Sequence, residues 1–376
     1  PLYIQFSKKV EYLHQPYWYY NFEYIKERDR GYDYQEDLLV PGKFKVNLRK
    51  GESLYVSCGV EEANPFLLSQ DFTKETHWRF PIQTTEDILK RAARMFFSRK
   101  GTKVNLVAGF PWFGRWGRDT FISLPGLCIA LDDWRMFRLA IDTMLEDFKD
   151  GFFPNIGEGT QAAYNSIDAP LWFFWALQQY AYINDARKEV WQAYNGVMRS
   201  ILENFSEGTS NVRMDSNFLL WQGEDGKALT WMDAIVNGQP VTQRKGYAVE
   251  INALWYNAVM FYRELAKLQC QDGEIAKWDE FAANFPTNFK ATFWSKELGY
   301  LADYVDGSYK DFSVRCNMIF ASSLRHMCKT LFKEGTVSQE IASAADNISN
   351  DITSKCLGKF DLLKKEPHLM LGDTED

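Results

Sequence analysis

Helical periodicity is the feature that most constrains this chain, and it begins at about residue 85. The first apolar helical face consists of Ile88, Leu89, Ala92, Met95 and Phe96, which are spaced as on one side of an α-helix. Further helices are predicted near 119–131, 133–149, 168–183, 187–205, 247–266, 276–294, 313–332 and 337–355. The segments between them are rich in Gly, Pro, Asn and aromatic residues: 101–118, 150–167, 206–246 and 295–312. This alternation predicts a mainly α fold, a toroid of helical hairpins with its long loops on one face.

The first 62 residues instead show the alternation of β-strands. Apolar and polar residues alternate in the segments 44–48 and 53–58, on either side of Lys50-Gly51, and this pattern predicts a hairpin. The aromatic run 17–24 predicts another strand. A few strands cannot bury a core alone. We therefore expect residues 1–62 to end a β-sandwich domain, 63–84 to form a linker, and 85–376 to form the helical domain. Since the chain starts with Pro1 in a strand-like segment, we expect a piece of a longer protein.

Composition excludes several classes of function. The 376 residues include 43 Lys and Arg against 50 Asp and Glu, a net charge of −7, which argues against nucleic-acid or anionic-membrane partners. No apolar run reaches the roughly 18–20 residues of a membrane helix. The six Cys and four His are scattered, so we expect no metal, no cofactor, and reduced, mostly buried thiols in the cytoplasm. The aromatic share of 16% suits a large core and also a sugar-binding cleft.

Clusters of charged and aromatic residues lie in the long loops. The first, 109–120, contains Trp112, Trp116, Arg118 and Asp119. A guanidinium beside a carboxylate can donate to and accept from sugar hydroxyls, although Asp119 could simply cap its helix and the tryptophans could be core residues. The second cluster, 164–172, contains Asn165, Asp168 and Trp172, and here too Asp168 could only start a helix.

A third cluster contains Trp231 and Asp233, and Arg244 and Glu250 follow it. A carboxyl group beside an indole suits a general acid, which must hold its proton near neutrality. Glu250 could be no more than the acid expected in the first turn of a helix. A fourth cluster, 311–317, is mostly explained by a capped helix start. Together the clusters indicate a carboxylate-based polyol site and leave the reaction open.

Four blocks resemble the glycogen debranching enzymes, in particular the amylo-α-1,6-glucosidase domain of the bacterial and archaeal type. They are Gly-Arg-Trp-Gly-Arg-Asp-Thr at 114–120, Tyr-Asn at 164–165 with Asp168, Thr-Trp-Met-Asp at 230–233, and Arg244 with Ala-Val-Glu-Ile at 248–251. The blocks keep the family's order over roughly residues 85–325, and 1–60 resemble the end of the β-sandwich that precedes the barrel. The chain departs from the family at Gln243, Cys316 and Met318, where Pro, Pro and Gln are common.

The resemblance implies a mainly α chain with an (α/α)6 toroid, related to the glucoamylases, that lacks its last helices here. It also implies an inverting hydrolase that needs no cofactor and removes α-1,6-linked glucose from an α-glucan such as glycogen, limit dextrin or a maltooligosaccharide. Arg118 and Asp119 resemble the pair that binds the terminal glucose, Asp168 a second sugar-binding acid, and Asp233 the general acid. We expect further sugar contacts from Asn165, Arg244, Glu250 and the indoles of Trp112, Trp116, Trp172 and Trp231.

The general base is the missing part of this resemblance. In the family it is a Glu near the end of the barrel, and the available Glu334, Glu340, Glu366 and Glu375 lie in no matching motif. Three alternatives stay open: a glucoamylase-like exo-hydrolase of α-1,4 links, a glucan-binding protein without catalysis, and a helical barrel with a non-sugar substrate.

Overall fold

A computed structural model describes residues 1–79, 83–109 and 113–327, which divide into two compact units with the boundary after Arg91. The helices are α1 (Ile25–Asp29), α2 (Leu68–Trp78), α3 (Thr85–Met95), α4 (Gly117–Leu131), α5 (Trp134–Leu145), α6 (Ala169–Ile183), α7 (Arg187–Glu207), α8 (Val249–Leu268), α9 (Asp272–Ala276), α10 (Asp279–Phe293) and α11 (Ile319–Ser323). The strands are β1 (Tyr3–Phe6), β2 (Glu11–Leu13), β3 (Tyr17–Glu23), β4 (Gln35–Val40), β5 (Lys43–Lys45), β6 (Val56–Gly59), β7 (Phe97–Lys100), β8 (Lys103–Gly109), β9 (Phe113–Arg115), β10 (Val212–Met214), β11 (Leu220–Gln222), β12 (Ile235–Val236), β13 (Gln239–Pro240), β14 (Tyr247–Ala248), β15 (Trp294–Ser295), β16 (Tyr300–Leu301), β17 (Tyr304–Asp306) and β18 (Tyr309–Asp311).

The strands of the first unit form nested antiparallel pairs. β1 pairs with β6, β2 with β5, and β3 with β4. The predicted hairpin around Lys50-Gly51 is therefore wrong, because β5 and β6 each pair with a strand from the start of the chain. Alternation indicates that a segment is extended but does not select its partner. The predicted linker 63–84 contains α2, and the domain limits themselves stay a prediction.

The second unit is built from helices, which confirms the mainly α prediction. α6 packs between α4 and α8, α5 packs on α4, and α7 contacts both α6 and α8. α6 and α8 are buried along most of their length, as expected for helices that are apolar on all sides. The described helices α4, α6 and α8 thus follow one another in contact, and a closed ring of helical hairpins stays a prediction.

The helix limits agree with the periodicity to within a few residues for α4 to α8 and for α10. At the predicted helix 313–332, the described part instead begins with the 3-10 turn Cys316–Met318, followed by α11. The predicted helix 337–355 lies outside the described residues. Short strands β10 to β13 occupy the segment 206–246, where the sequence predicted a loop.

Aromatic rings form much of the core between the helices. Phe121 of α4 and Phe173 of α6 meet Phe153 of the intervening loop, with ring centroids 4.8 to 5.5 Å apart. Such tilted and edge-on pairs add to the burial of apolar area. The aromatic excess noted in the sequence is thus, in large part, core.

The cysteines differ from the expectation of mostly buried thiols. Cys128 is buried, but Cys58, Cys270 and Cys316 are exposed, while Cys328 and Cys356 lie outside the described residues. Over the described ranges, the helices include none long and apolar enough to cross a bilayer. The same residues contain no cluster of His, Cys, Asp and Glu side chains suited to a metal ion.

Candidate active site

A glycine at the start of α4 brings the first candidate residue into place. Gly117 N donates to the Asn155 carbonyl oxygen at 2.9 Å, and a Cβ atom on Gly117 would collide with the carbonyl oxygen of Pro154. Only glycine allows the loop at 154–155 to approach the helix this closely. Arg118 therefore falls in the first turn of α4, where its side chain is buried.

Arg118 joins the loops that carry the candidate acids. Its Nε donates to Asp168 Oδ2 at 2.6 Å, and its Nη1 donates to Asp233 Oδ2 at 3.1 Å. Its Nη2 donates to Ser166 Oγ at 3.3 Å, and the Ser166 hydroxyl donates to Asp168 Oδ1. Burial by itself would lower the pKa of Arg118, but the two carboxylates outweigh it and raise that pKa. The guanidinium is thus a fixed positive charge at the centre of the site.

Asp168 is more than a helix start. It occupies the N-cap position of α6, but its side chain makes no cap hydrogen bond and is instead committed to Arg118 and Ser166. Similarly, Asp119 lies in the first turn of α4, whose N-cap is Trp116. Capping, which the sequence left open for both acids, therefore does not account for either.

Asp233 and Trp231 form the open side of the cluster. The Asp233 side chain is 35% exposed, against 2% for Asp168, and Trp231 is 42% exposed. Their loop is tied to the Asp168 loop by a hydrogen bond from Ile167 N to the Leu229 carbonyl oxygen, 3.0 Å long. A ligand can therefore reach Asp233 and Trp231 from solvent, while Arg118 and Asp168 support the site from below.

The other candidates of the first two clusters differ in their exposure to solvent. Asp119 is exposed and lines a separate cavity of about 240 Å³ with Phe96, Leu106 and Ile122. Trp172 is buried, with its ring 5.3 Å from that of Phe320. The remaining placements are Trp116 half-buried and Asn165 exposed. Trp112 lies outside the described residues, as do Glu334, Glu340, Glu366 and Glu375. Sugar contacts from Asp119, Asn165 and the indoles of Trp112, Trp116 and Trp172 remain predictions.

Arg244 and Glu250 form a second, fully buried ionic group. Arg244 Nη2 donates to Glu250 Oε2 at 2.7 Å, and Arg244 Nε donates to Asp303 Oδ2 at 2.8 Å. Arg244 Nη1 also approaches Thr230 Oγ1 at 3.4 Å. Burial would lower the pKa of Arg244, but Glu250 and Asp303 outweigh it and raise that pKa. This ionic group lies behind the loop that carries Trp231, and a direct sugar contact by Arg244 or Glu250 stays a prediction.

The helix ends explain why these side chains gather. Arg118, Asp168 and Glu250 each lie at the N-terminal end of a helix, respectively α4, α6 and α8, and α6 contacts both α4 and α8. The N-terminal end of a helix carries partial positive charge and favours carboxylates nearby. The hydrogen bonds from Arg118 to Asp168 and Asp233 join the segments that precede α6 and α8 to the start of α4, and the gathering of all the long loops on one face stays a prediction.

Sequence reasoning missed Ser166, Asp303 and Asn317. Asp303 is fully buried and accepts from Arg244 Nε and from Arg315 Nη1, the latter at 2.7 Å. Asn317 belongs to the segment 311–317 that the sequence assigned to a helix start. Asp311 and Arg315 are charged residues in an otherwise largely uncharged segment, which was the available signal for Arg315. No such signal lies near Asp303 in the sequence.

Comparisons with known proteins give the family. The sequence pattern described as amylo-alpha-1,6-glucosidase matches residues 82–354, and the pattern described as glycogen debranching enzyme N terminal matches residues 1–55. The glycogen debranching enzyme of Saccharomyces cerevisiae is 24% identical over 329 residues, a match that covers 69% of this chain and 21% of the yeast protein. The chain thus spans about a fifth of the length of this curated relative.

Two solved structures overlay this chain at low similarity. The GH78 family rhamnosidase of Bacillus sp. GL1 has a TM-score of 0.48 and 12% identity, over 98% of this chain and 41% of the other. A rhamnosidase from Klebsiella oxytoca has a TM-score of 0.43 and 12% identity, over 98% of this chain and 77% of the other. The family assignment depends on the sequence matches alone. Because the first pattern matches well over half of the chain, the chain belongs to the amylo-alpha-1,6-glucosidase family.

Proposed function

We propose that this chain carries the site of a glycoside hydrolase that removes α-1,6-linked glucose at the branch points of an α-glucan. The observation that carries the proposal is the cluster around Arg118, which joins Asp168 and Asp233 and leaves Asp233 open beside an exposed indole. Family membership supports the reaction and the substrate class. We further propose that α4, α6 and α8 belong to an (α/α)6 toroid.

Asp233 is the residue to which we assign the general acid. Arg118 contacts its Oδ2 atom, so Oδ1 is the oxygen that would present the proton to the glycosidic oxygen. The buried Arg118 and Asp168 hold the carboxyl group in position, and a positioned acid contributes typically a 10²- to 10⁴-fold rate increase. Trp231 offers an apolar face to a sugar ring.

Inversion requires a second carboxylate on the opposite side of the sugar, roughly 6.5–9.5 Å from the first, to activate water. Asp168 and Asp303 are both buried and bound to arginines, so neither is available to a water molecule at the surface. We therefore assign the base to a glutamate outside the described residues, as the family resemblance implies.

The test combines a substrate comparison with a matched pair of variants. A glycogen limit dextrin is supplied and free glucose is followed, with NMR of the first product to determine its anomer. Asp233→Asn should lower kcat by about a hundredfold or more. Asp225→Asn makes the same chemical change at a loop carboxylate that is 90% exposed and paired with Lys245, and its rate should equal that of the wild type.

α-Glucosyl fluoride separates the acid role from a general loss of structure. Fluoride leaves with little need for a proton, so Asp233→Asn should lose far less rate on this substrate than on the dextrin. Equal losses on both substrates would contradict the acid assignment, and α-glucose as first product would contradict inversion. Faster glucose release from linear maltooligosaccharides would favour the α-1,4 exo-hydrolase, and binding without turnover would favour the glucan-binding protein.

A further inference from the structure

The indole of Trp231 is held from behind although its ring is open to solvent. Its Nε1 donates to Asn317 Oδ1 at 2.7 Å, and Asn317 itself is fully buried. Asn317 follows Trp231 by 86 positions in the chain, so this bond joins two separate segments. An exposed indole could donate its N–H to water and would not need a buried side chain as its acceptor.

Electrostatics determines which way the Asn317 amide points. Its Nδ2 donates to Asp303 Oδ1 at 2.6 Å, and an ionised carboxylate can only accept hydrogen bonds. The amide nitrogen must therefore face Asp303, and the amide oxygen must face the indole N–H. A reversed amide would place oxygen against carboxylate and nitrogen against the indole donor, which loses both bonds.

Asp303 is itself immobilised by the two arginines. Its Oδ2 accepts from Arg244 Nε at 2.8 Å and from Arg315 Nη1 at 2.7 Å, while Oδ1 serves Asn317. The backbone is tied as well, since Val249 N donates to the Asp303 carbonyl oxygen at 3.0 Å. Charge-assisted bonds of this kind are stronger than neutral ones. The Asp303 carboxylate is thus held in place, and it holds the Asn317 amide in turn.

We propose that Asn317 and Asp303 are positioning residues that set the orientation of the Trp231 indole, so that its face is presented ready for a sugar ring beside Asp233. The pair acts through Trp231 and does not contact the sugar. A preformed ring does not lose rotamer freedom when the ligand binds, which corresponds to roughly a two- to tenfold gain in affinity. The identity of the ligand depends on the proposed function, but the anchoring of the indole does not.

The anchoring is tested first by NMR without any ligand. The indole N–H signal of Trp231 is identified by its absence from Trp231→Phe, and its exchange with water is then measured in the wild type and in Asn317→Leu. We expect protection in the wild type and fast exchange in Asn317→Leu. Equal exchange rates in the two proteins would overturn the proposal, whatever the protein binds.

The effect on the sugar is tested by a double-mutant cycle. The Kd of a maltooligosaccharide with one α-1,6-linked glucose is measured for the wild type, Trp231→Phe, Asn317→Leu and the double variant. Trp231→Phe keeps an aromatic face but has no N–H, so each single variant should weaken binding about two- to tenfold. The double variant should bind the sugar no more weakly than the single variant with the lower affinity, because both changes remove the same anchor.

The outcomes separate the two proposals. Additive effects of the two substitutions, or unchanged affinity in both single variants, would overturn the positioning role. A wild type that neither binds nor cleaves the branched sugar would refute the proposed function, and the NMR exchange would still decide the anchoring. If Asn317→Leu fails to fold, Trp231→Phe alone must reproduce the loss of affinity. Trp221→Phe is the control and should leave the affinity unchanged, because the Trp221 ring packs against the Arg213 guanidinium, with 4.0 Å between the guanidinium carbon and the ring centroid.

Discussion

The contact between Arg118 and Asp168 yields the most direct prediction from the structure. Both side chains are almost fully buried, at 9% and 2% exposure, and Asp168→Asn removes one of the two charges without changing the shape. Removing one partner of a buried ion pair costs roughly 3–5 kcal/mol, because the remaining charge stays buried without compensation.

Two features of the site reduce this cost. Arg118 keeps its contact to Asp233, and the asparagine retains an oxygen that can accept from Arg118 Nε, which is worth about 1–1.5 kcal/mol. We therefore expect Asp168→Asn to lower the free energy of unfolding by about 2–3 kcal/mol. The same change at Asp225, a surface ion pair, should cost at most about 1 kcal/mol.

The measurement is urea unfolding followed by circular dichroism at 222 nm, which reports mainly the helices of the second unit. A double variant, Arg118→Met with Asp168→Leu, should be less destabilised than the sum of its single changes, because it leaves no buried charge unpaired. The half-exposed Asp233 stays hydrated in that variant. If Asp168→Asn and Asp225→Asn shift the midpoint equally, the reasoning from burial is refuted.

The remaining predictions concern pH and the start of α4. Burial would raise the pKa of Asp311, but hydrogen bonds, first of all from Arg315, outweigh burial and lower that pKa to about 2. The ionised Asp311 therefore stabilises the fold above pH 4, and this contribution is lost as the pH falls toward 2. Asp311→Asn should thus be less stable than the wild type by about 2 kcal/mol at pH 6. This difference in the free energy of unfolding, measured with urea, should narrow below pH 4. A difference that stays constant with pH would contradict the lowered pKa of Asp311. Gly117→Ala should lower the thermal midpoint, since its Cβ would meet the Pro154 carbonyl oxygen, whereas Gly126→Ala in the same helix has open space and should stabilise by about 0.5–1 kcal/mol. Equal shifts at these two glycines in a thermal melt would show that the close approach at Gly117 is not limiting.

Local pattern in the sequence was sufficient to predict the helices that build the site. The apolar periodicity located α4, α6 and α8, because a helix that is buried on most sides needs apolar residues along its whole length. The resemblance of the motifs then selected Arg118, Asp168 and Asp233 as residues of one site. The structure brings these three together, although Arg118 and Asp233 lie 115 positions apart.

Strand pairing and side-chain direction could not be obtained in this way. Segments 43–45 and 56–59 were correctly seen as extended, but both pair with strands near the start of the chain. The motif places Asp119 directly beside Arg118, yet successive residues of a helix point in directions about 100° apart. Asp119 therefore lines a cavity that Arg118 does not line.

By itself the sequence determined the mainly α fold and the family, and it selected Arg118, Asp168 and Asp233 as candidates, because each of these depends on periodicity or on short motifs. Only the tertiary structure decided what supports them. The bond from Arg244 to Asp303 crosses 59 positions, and that from Trp231 to Asn317 crosses 86. Such buried polar bonds form where packed segments leave donors and acceptors away from water, and the residues that meet there are chosen by the fold rather than by their neighbours in the chain.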